Sequence, residues 1–266
     1  MCGRCAALSR RGLLAALAAS GVAACSENAV TGRRQLVLVD DGQLAAMADQ
    51  AWAGVVAQVP PVRDPAAHAR LARLGAPLVE AAGRTDLDWS FTVLDSPELN
   101  AFVLPNGRVG FFRGLLDFAG SDDEAASVLG HEVGHVVARH AAERLSQELA
   151  VQAGVSLAQA LISEDAGQYA DEIGAALGLG AVVGVLLPYS RRHELEADRI
   201  GVDLMRKAGL DPSAAVRFWE RMASRSDGAQ QPPEVISTHP ADGRRLAELK
   251  EAVADAEPSR VRSPAG

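Results

Sequence analysis

His131-Glu132-Val133-Gly134-His135 is an H-E-x-x-H pattern. Residues four apart on a helix share a face, so both imidazoles can reach one Zn²⁺, and Glu132, one step round, can reach a water activated there. Two imidazoles a turn apart are an odd way to fill a core, which favours aliphatic side chains, so a metal is the simpler reading. The pattern lies on a well-marked helix. Ser121-Asp122-Asp123-Glu124 matches a capping box, and Val128, Leu129, Val133, Val136 and Val137 supply an apolar stripe. Together they predict a helix from Ser121 to about Arg144.

A catalytic zinc takes three protein ligands and keeps one position open, so a third ligand must come from elsewhere. Glu194 is the best candidate, in Ser190-Arg191-Arg192-His193-Glu194-Leu195-Glu196-Ala197-Asp198 at the start of a helix. Asp198, one turn on along the same face, can accept a hydrogen bond from the free nitrogen of a ligating histidine. His193 and Glu196 compete with Glu194. Glu196 points about 200° away from it and reads as a solvated charge. His140 sits about 140° around the helix from His135, outside the site. His68 has no evident partner.

Upstream, Leu44–Val59 and Ala66–Ala82 have helical periodicity and would wrap the N-terminal side. From Trp89 the period falls to two. Strands are expected at 89–94, 100–104 and 108–112, the last two flanking the hairpin-type turn Pro105-Asn106-Gly107. Downstream, helices are expected from Glu194, from Ser213 and over 241–254, with a loop at 227–233 and a disordered tail over 257–266. The apolar stretch 174–187 is too short to cross a bilayer and reads as a buried helix, or as a flap touching a membrane.

The chain of 266 residues is 48% hydrophobic and 23% charged, an ordinary globular balance. A net charge of -8 offers no positive field for phosphates, which argues against nucleic acid as a partner. Residues 1–24 read as an export signal, basic at Arg4, Arg10 and Arg11 and then apolar. Val22-Ala23-Ala24-Cys25 resembles a bacterial lipobox, which makes Cys25 the lipid-bearing new N-terminus, followed by a polar tether within 25–43. Export by the Sec or the twin-arginine route fits equally, and Ser26 after the cysteine, by its resemblance to enterobacterial sorting signals, implies the outer membrane over the inner. With Cys2 and Cys5 removed, no disulfide remains.

Taken together, the segments resemble metallopeptidase family forty-eight, which includes the CAAX prenyl proteases, HtpX and the Oma-type peptidases, and within it the small bacterial lipoprotein members. The matching segments are Asn100 to Gly107, His131 to His135, Ser190 to Asp198, and Ser237-Thr238-His239-Pro240 with Arg245; Thr31-Gly32-Arg33-Arg34-Gln35-Leu36 is similar to the lipoprotein subgroup. The resemblance implies an α+β, mainly α, zincin-like (gluzincin) domain over 44–256, with a small antiparallel sheet beside the zinc-binding helix. It implies one Zn²⁺ per chain on His131, His135 and Glu194, with Glu132 as general base. It adds Asp198, Arg191 and Arg245 around the ligands, His239 near the metal as oxyanion stabiliser or resting cap, and Asn100, Ala101 and Phe102 as a strand edge for substrate. The function implied is an endopeptidase for unfolded or misassembled envelope proteins, facing the periplasm. The alternative is a latent zinc-binding chaperone or assembly factor, closed by His239 as a fourth ligand.

Overall fold

A computed structural model describes residues 25–162, 189–226, His239 and 243–256. The signal segment 1–24, the stretch 174–187, the loop 227–233 and the tail 257–266 lie outside the described residues.

Strands β1 (Cys25–Glu27) and β2 (Arg34–Leu36) precede helices α1 (Asp41–Gln58) and α2 (Pro65–Ala82). Asp40 and Asp64 cap these helices by accepting the backbone N–H groups of Gln43 and Ala66, and Pro65 occupies the first turn, where its missing N–H costs nothing. Strands β3 (Ser90–Leu94), β4 (Ala101–Val103) and β5 (Arg108–Phe112) follow, then a short helix α3 (Arg113–Phe118). The sheet order is β3-β5-β4. Strands β4 and β5 form the expected antiparallel hairpin, but β3 runs parallel to β5, Phe91 opposite Val109, so the sheet is mixed. His68, on α2, holds β3 in place: its Nδ1 accepts the Val93 N–H at 3.0 Å, and Nε2 faces the Val62 carbonyl at 2.9 Å.

Helix α4 (Asp122–Val137) carries the H-E-x-x-H segment, and every residue from Glu124 to Val137 is buried. Ser121 Oγ accepts the Glu124 N–H, and the Glu124 carboxylate reaches back to the Gly120 N–H, closing the capping box one residue earlier than usual. Helix α2 and the sheet cover one side of α4; α6 (Arg191–Lys207) and α7 (Ser213–Ser226) cover the other, and α8 (Gly243–Ala256) packs on α6 and α7. Leu71, Leu78, Phe111, Leu129, Met205 and Phe218 form the centre of this core.

Two expectations are corrected. The helix ends at Val137, not near Arg144: Arg139 takes a left-handed conformation (φ 57°), and a separate helix, α5 (His140–Ile162), follows. A left-handed non-glycine residue costs about 1–2 kcal/mol, offset here by buried tertiary bonds that local sequence does not show, from Gln35 and Asn28 to the carbonyls just before it. Residues 26–34 are likewise no free tether. Strands β1 and β2 pair, Cys25 opposite Leu36, and buried Gln35 and Asn28 donate to the Ala138 and Val137 carbonyls at the end of α4. Among the described residues, no helix is long and apolar enough to cross a membrane.

Helices α4 and α6 touch backbone to backbone. A Cβ on Gly201 would lie 2.9 Å from the His131 nitrogen, and one on Gly134 would lie 2.8 Å from the Ala197 oxygen. Gly201→Ala gains about 1 kcal/mol of helix propensity but forces an overlap that no side-chain rotation relieves, at about 1–3 kcal/mol. The net loss of about 0–2 kcal/mol is expected to lower Tm by up to roughly 8 °C in thermal unfolding of the metal-free protein.

Candidate metal centre

His131 and His135 project from one face of α4, and Glu194 enters from the first turn of α6, whose start is capped by Ser190 Oγ accepting the His193 N–H. His239 joins them. One ligand atom from each of the four lies within 4.8 Å of the others, and all four residues are buried. The Nε2 atoms of His131 and His135 stand 3.0 Å apart, and His239 Nδ1 is 3.2 Å from His131 Nε2 and 3.1 Å from both Glu194 oxygens. A neutral imidazole offers one lone pair, so three inward-facing ring nitrogens around a carboxylate need a cation or protons between them. Nitrogen and oxygen donors in this number suit zinc.

Glu132 is 2% exposed. Its Oε1 lies 3.5 Å from His239 Nε2, and among the described residues no donor reaches Oε2. A buried carboxylate oxygen without a donor is uncommon and leaves room for a water.

The surrounding groups orient these side chains. His131 Nδ1 is 2.8 Å from Asp198 Oδ1, the carboxylate–histidine arrangement that fixes a ligand's tautomer. Arg245, itself 2% exposed, grips Asp198 through Nε and Nη2 at 2.7 and 2.8 Å, meets Glu194 at 3.0 Å and donates to the His239 carbonyl at 3.1 Å. Burial opposes charge on His131, but Asp198 and Glu194 outweigh it and hold its pKa up to about 9. Burial, then the positive field of His131, pushes His135 well below its usual value. Glu194 lies well below the carboxylate range: burial pushes it up, and His239 and His131 overcome that. Burial also pushes Asp198 up, but Arg245 brings it down to about 2.

Several residues stand where the sequence did not put them. Arg191 is exposed at the first turn of α6. His193 is buried, away from the cluster, with Nε2 3.3 Å from Glu143. Glu196 is no solvated charge: it faces Arg33 at 3.0 Å and His140 at 3.1 Å. His140, which one continuous helix would turn away from the site, is fully buried with its Nδ1 2.9 Å from His135 Nδ1, because the helix breaks at Arg139. Tyr189, which the motifs did not single out, stacks on His135 with ring centres 4.0 Å apart. Its position just ahead of the capping Ser190 was the available signal. A cavity of about 190 Å³ opens beside these two rings, lined by Leu44, Leu87, Val103 and Val136 among others. Asn100, Ala101 and Phe102 lie at and just before β4, an edge strand of the sheet.

Two outcomes are expected. Zinc at about a hundred times its dissociation constant stabilises the folded chain by about 2.7 kcal/mol, raising Tm by roughly 5–10 °C; a chelator reverses the rise and Glu194→Ala removes most of it. Asp198 and Glu196 both have pKa values lowered to about 2 from 3.8 and 4.5. Their contribution is present above the unfolded values and lost as pH falls through the folded ones, so the urea midpoint of the metal-free protein drops between about pH 4.5 and 2.

The family described as Peptidase family M48 matches residues 65–253. The mitochondrial metalloendopeptidase OMA1 of Schizosaccharomyces pombe is 38% identical over 186 residues, 70% of this chain and 53% of that protein. The beta-barrel assembly-enhancing protease of Escherichia coli is 28% identical over 225 residues, 84% of this chain and 46% of the relative. A putative beta-barrel assembly-enhancing protease of Vibrio cholerae is 33% identical over 199 residues, 72% and 40%. The chain thus spans about half the length of the curated relatives it matches. With its metal-type cluster on a buried helix beside a small mixed sheet, and with that match over most of its length, the chain belongs to peptidase family M48.

Proposed function

We propose that this chain is a zinc-dependent endopeptidase that hydrolyses unfolded or misassembled envelope proteins, held on a bacterial membrane through lipid on Cys25 and facing the periplasm, with the outer membrane favoured. The observation that carries the reading is the convergence of His131, His135 and Glu194 beside the unpartnered Glu132 oxygen. Relatives named metalloendopeptidase and beta-barrel assembly-enhancing protease support peptide-bond hydrolysis and an envelope setting.

In this reading His131, His135 and Glu194 hold one Zn²⁺ per chain. Bound zinc supplies the Lewis acidity that polarises a scissile carbonyl and brings the pKa of a water toward about 7. Glu132 would take a proton from the attacking water and deliver it to the leaving amine. Asp198 and Arg245 keep His131 and Glu194 in register. Strand β4 pairs only with β5 among the described strands, so an extended substrate segment can add along its free edge. Asn100 stands at the start of that edge, buried, with a side-chain oxygen that has no donor among the described residues. The cavity beside His135 and Tyr189, whose lining mixes Leu44, Val103 and Val136 with Asp41, Arg84, Asp86 and Arg139, can receive a substrate side chain. Strand addition needs a flexible segment, which selects unfolded proteins. Nothing in this scheme recruits nucleic acid.

A second reading, a latent zinc-binding chaperone or assembly factor, is favoured by the position of His239, already within reach of a shared ion with the other three donors. Four permanent ligands close a zinc site and three leave it open. His239→Ala separates the two: release of a resting enzyme raises casein cleavage, whereas a binding protein gains none.

Glu132→Gln is expected to keep zinc near one per chain and to lower casein cleavage by about 10²–10⁴-fold, measured beside native protein with and without a chelator. Cleavage that survives in this variant would sink the proposal for Glu132. Unchanged turnover of destabilised envelope proteins in cells lacking the chain would sink the proposed substrates.

A further inference from the structure

The segment Thr31-Gly32-Arg33-Arg34-Gln35-Leu36 has no part in the chemistry above, yet Arg33 is one of the best-tied side chains in the protein. Its Nη1 donates to Glu143 at 2.7 Å, and its Nε donates to Glu196 at 3.0 Å. Its side chain is only 11% exposed. Glu196 in turn faces His140 Nε2 at 3.1 Å, and His140 Nδ1 lies 2.9 Å from His135 Nδ1.

The donor directions along this series agree with one another. A metal on His135 Nε2 leaves that ring's proton on Nδ1, which donates to His140 Nδ1. His140 then carries its own proton on Nε2 and donates it to Glu196, whose carboxylate also accepts from Arg33. Each N–H meets an acceptor and no two donors face each other. His131 receives the same service from Asp198 directly, whereas His135 is reached through an interposed imidazole.

The hairpin that carries Arg33 also secures the turn on which this depends. Gln35 donates to the Ala138 carbonyl at 2.6 Å and to Glu143 at 3.0 Å, and Asn28 donates to the Val137 carbonyl at 3.3 Å. These carbonyls immediately precede the left-handed Arg139, the residue at which the chain turns to bring His140 against His135.

We infer that the N-terminal hairpin completes the metal centre: Arg33, acting through Glu196 and His140, is a positioning residue that fixes the ring and tautomer of His135. The inference rests on the metal-site reading above and goes beyond it by giving the strand pair next to Cys25 a task at the metal. Partners at this remove from a metal typically change its affinity 10–100-fold when lost.

The test uses the full chain and metal alone. Zinc affinity is measured by competition with a chromogenic chelator, and the visible spectrum of the Co²⁺-substituted protein reports ligand geometry, for native protein, His140→Phe, Glu196→Gln, Arg33→Ala and Arg33→Lys. His140→Phe is expected to weaken zinc binding about tenfold and to shift the cobalt bands. Glu196→Gln and Arg33→Ala give several-fold losses, Arg33→Lys recovers part of the loss, and Arg33→Ala combined with His140→Phe is no worse than His140→Phe alone. A hairpin that merely stabilises the fold would lower Tm while leaving zinc affinity within about twofold and the cobalt spectrum unchanged, and that result overturns the inference. If Arg33→Ala fails to fold, the near-isosteric Glu196→Gln and His140→Phe decide the matter. Native protein that binds no zinc overturns the metal-site reading itself.

Discussion

The close crossing of α4 and α6 governs the whole site. Gly130 and Gly134 on one helix meet Ala197 and Gly201 on the other, so the two backbones approach to a distance that a single added methyl would disturb. That contact brings Glu194 and Asp198 on one helix up against His131 and His135 on the other. The small residues occupy the same faces as His131, His135, Glu194 and Asp198. A sheet, α2 and α7 then seal α4 on its remaining sides, which makes the pattern-bearing helix the most buried element of the fold.

That burial sets the electrostatics. Carboxylates and imidazoles removed from water are costly unless each finds an opposite charge or a donor. Arg245 answers two of the carboxylates at once, Asp198 and Glu194, and lies over the Trp219 ring, which fixes its plane. Arg33 does the same on the far side of the site for Glu143 and Glu196. The cluster turns three ring nitrogens inward, and Asp198 and Glu194 outweigh burial to hold His131 above its usual pKa. A divalent cation meets the same demand with one particle.

Local rules made much of this legible. The capping box at Ser121, the four-residue step from His131 to His135 and the turn at Pro105-Asn106-Gly107 depend on neighbours along the chain and appear in the structure where the sequence places them. Glu194 and Asp198 could be paired because one helical turn separates them. The failures share a cause, which is tertiary override. No glycine or proline marks the break at Arg139; side chains more than a hundred residues upstream hold it. A continuous helix would turn His140 away from His135, so its place at the site depends on the break. Glu196 reads as a surface charge because Arg33, its partner, is far off in sequence. The parallel pairing of β3 with β5 was equally invisible, since alternation of apolar residues specifies a strand but not its neighbour.

X-ray absorption at the zinc edge of the zinc-loaded full-length chain tests the central claim most directly. A centre built from His131, His135 and Glu194 gives a first shell of nitrogen and oxygen alone at about 2.0–2.1 Å, with multiple scattering from at least two imidazoles and the loss of one ring in His135→Ala. A sulfur scatterer at about 2.3 Å, or a shell of oxygens without imidazole, would contradict it.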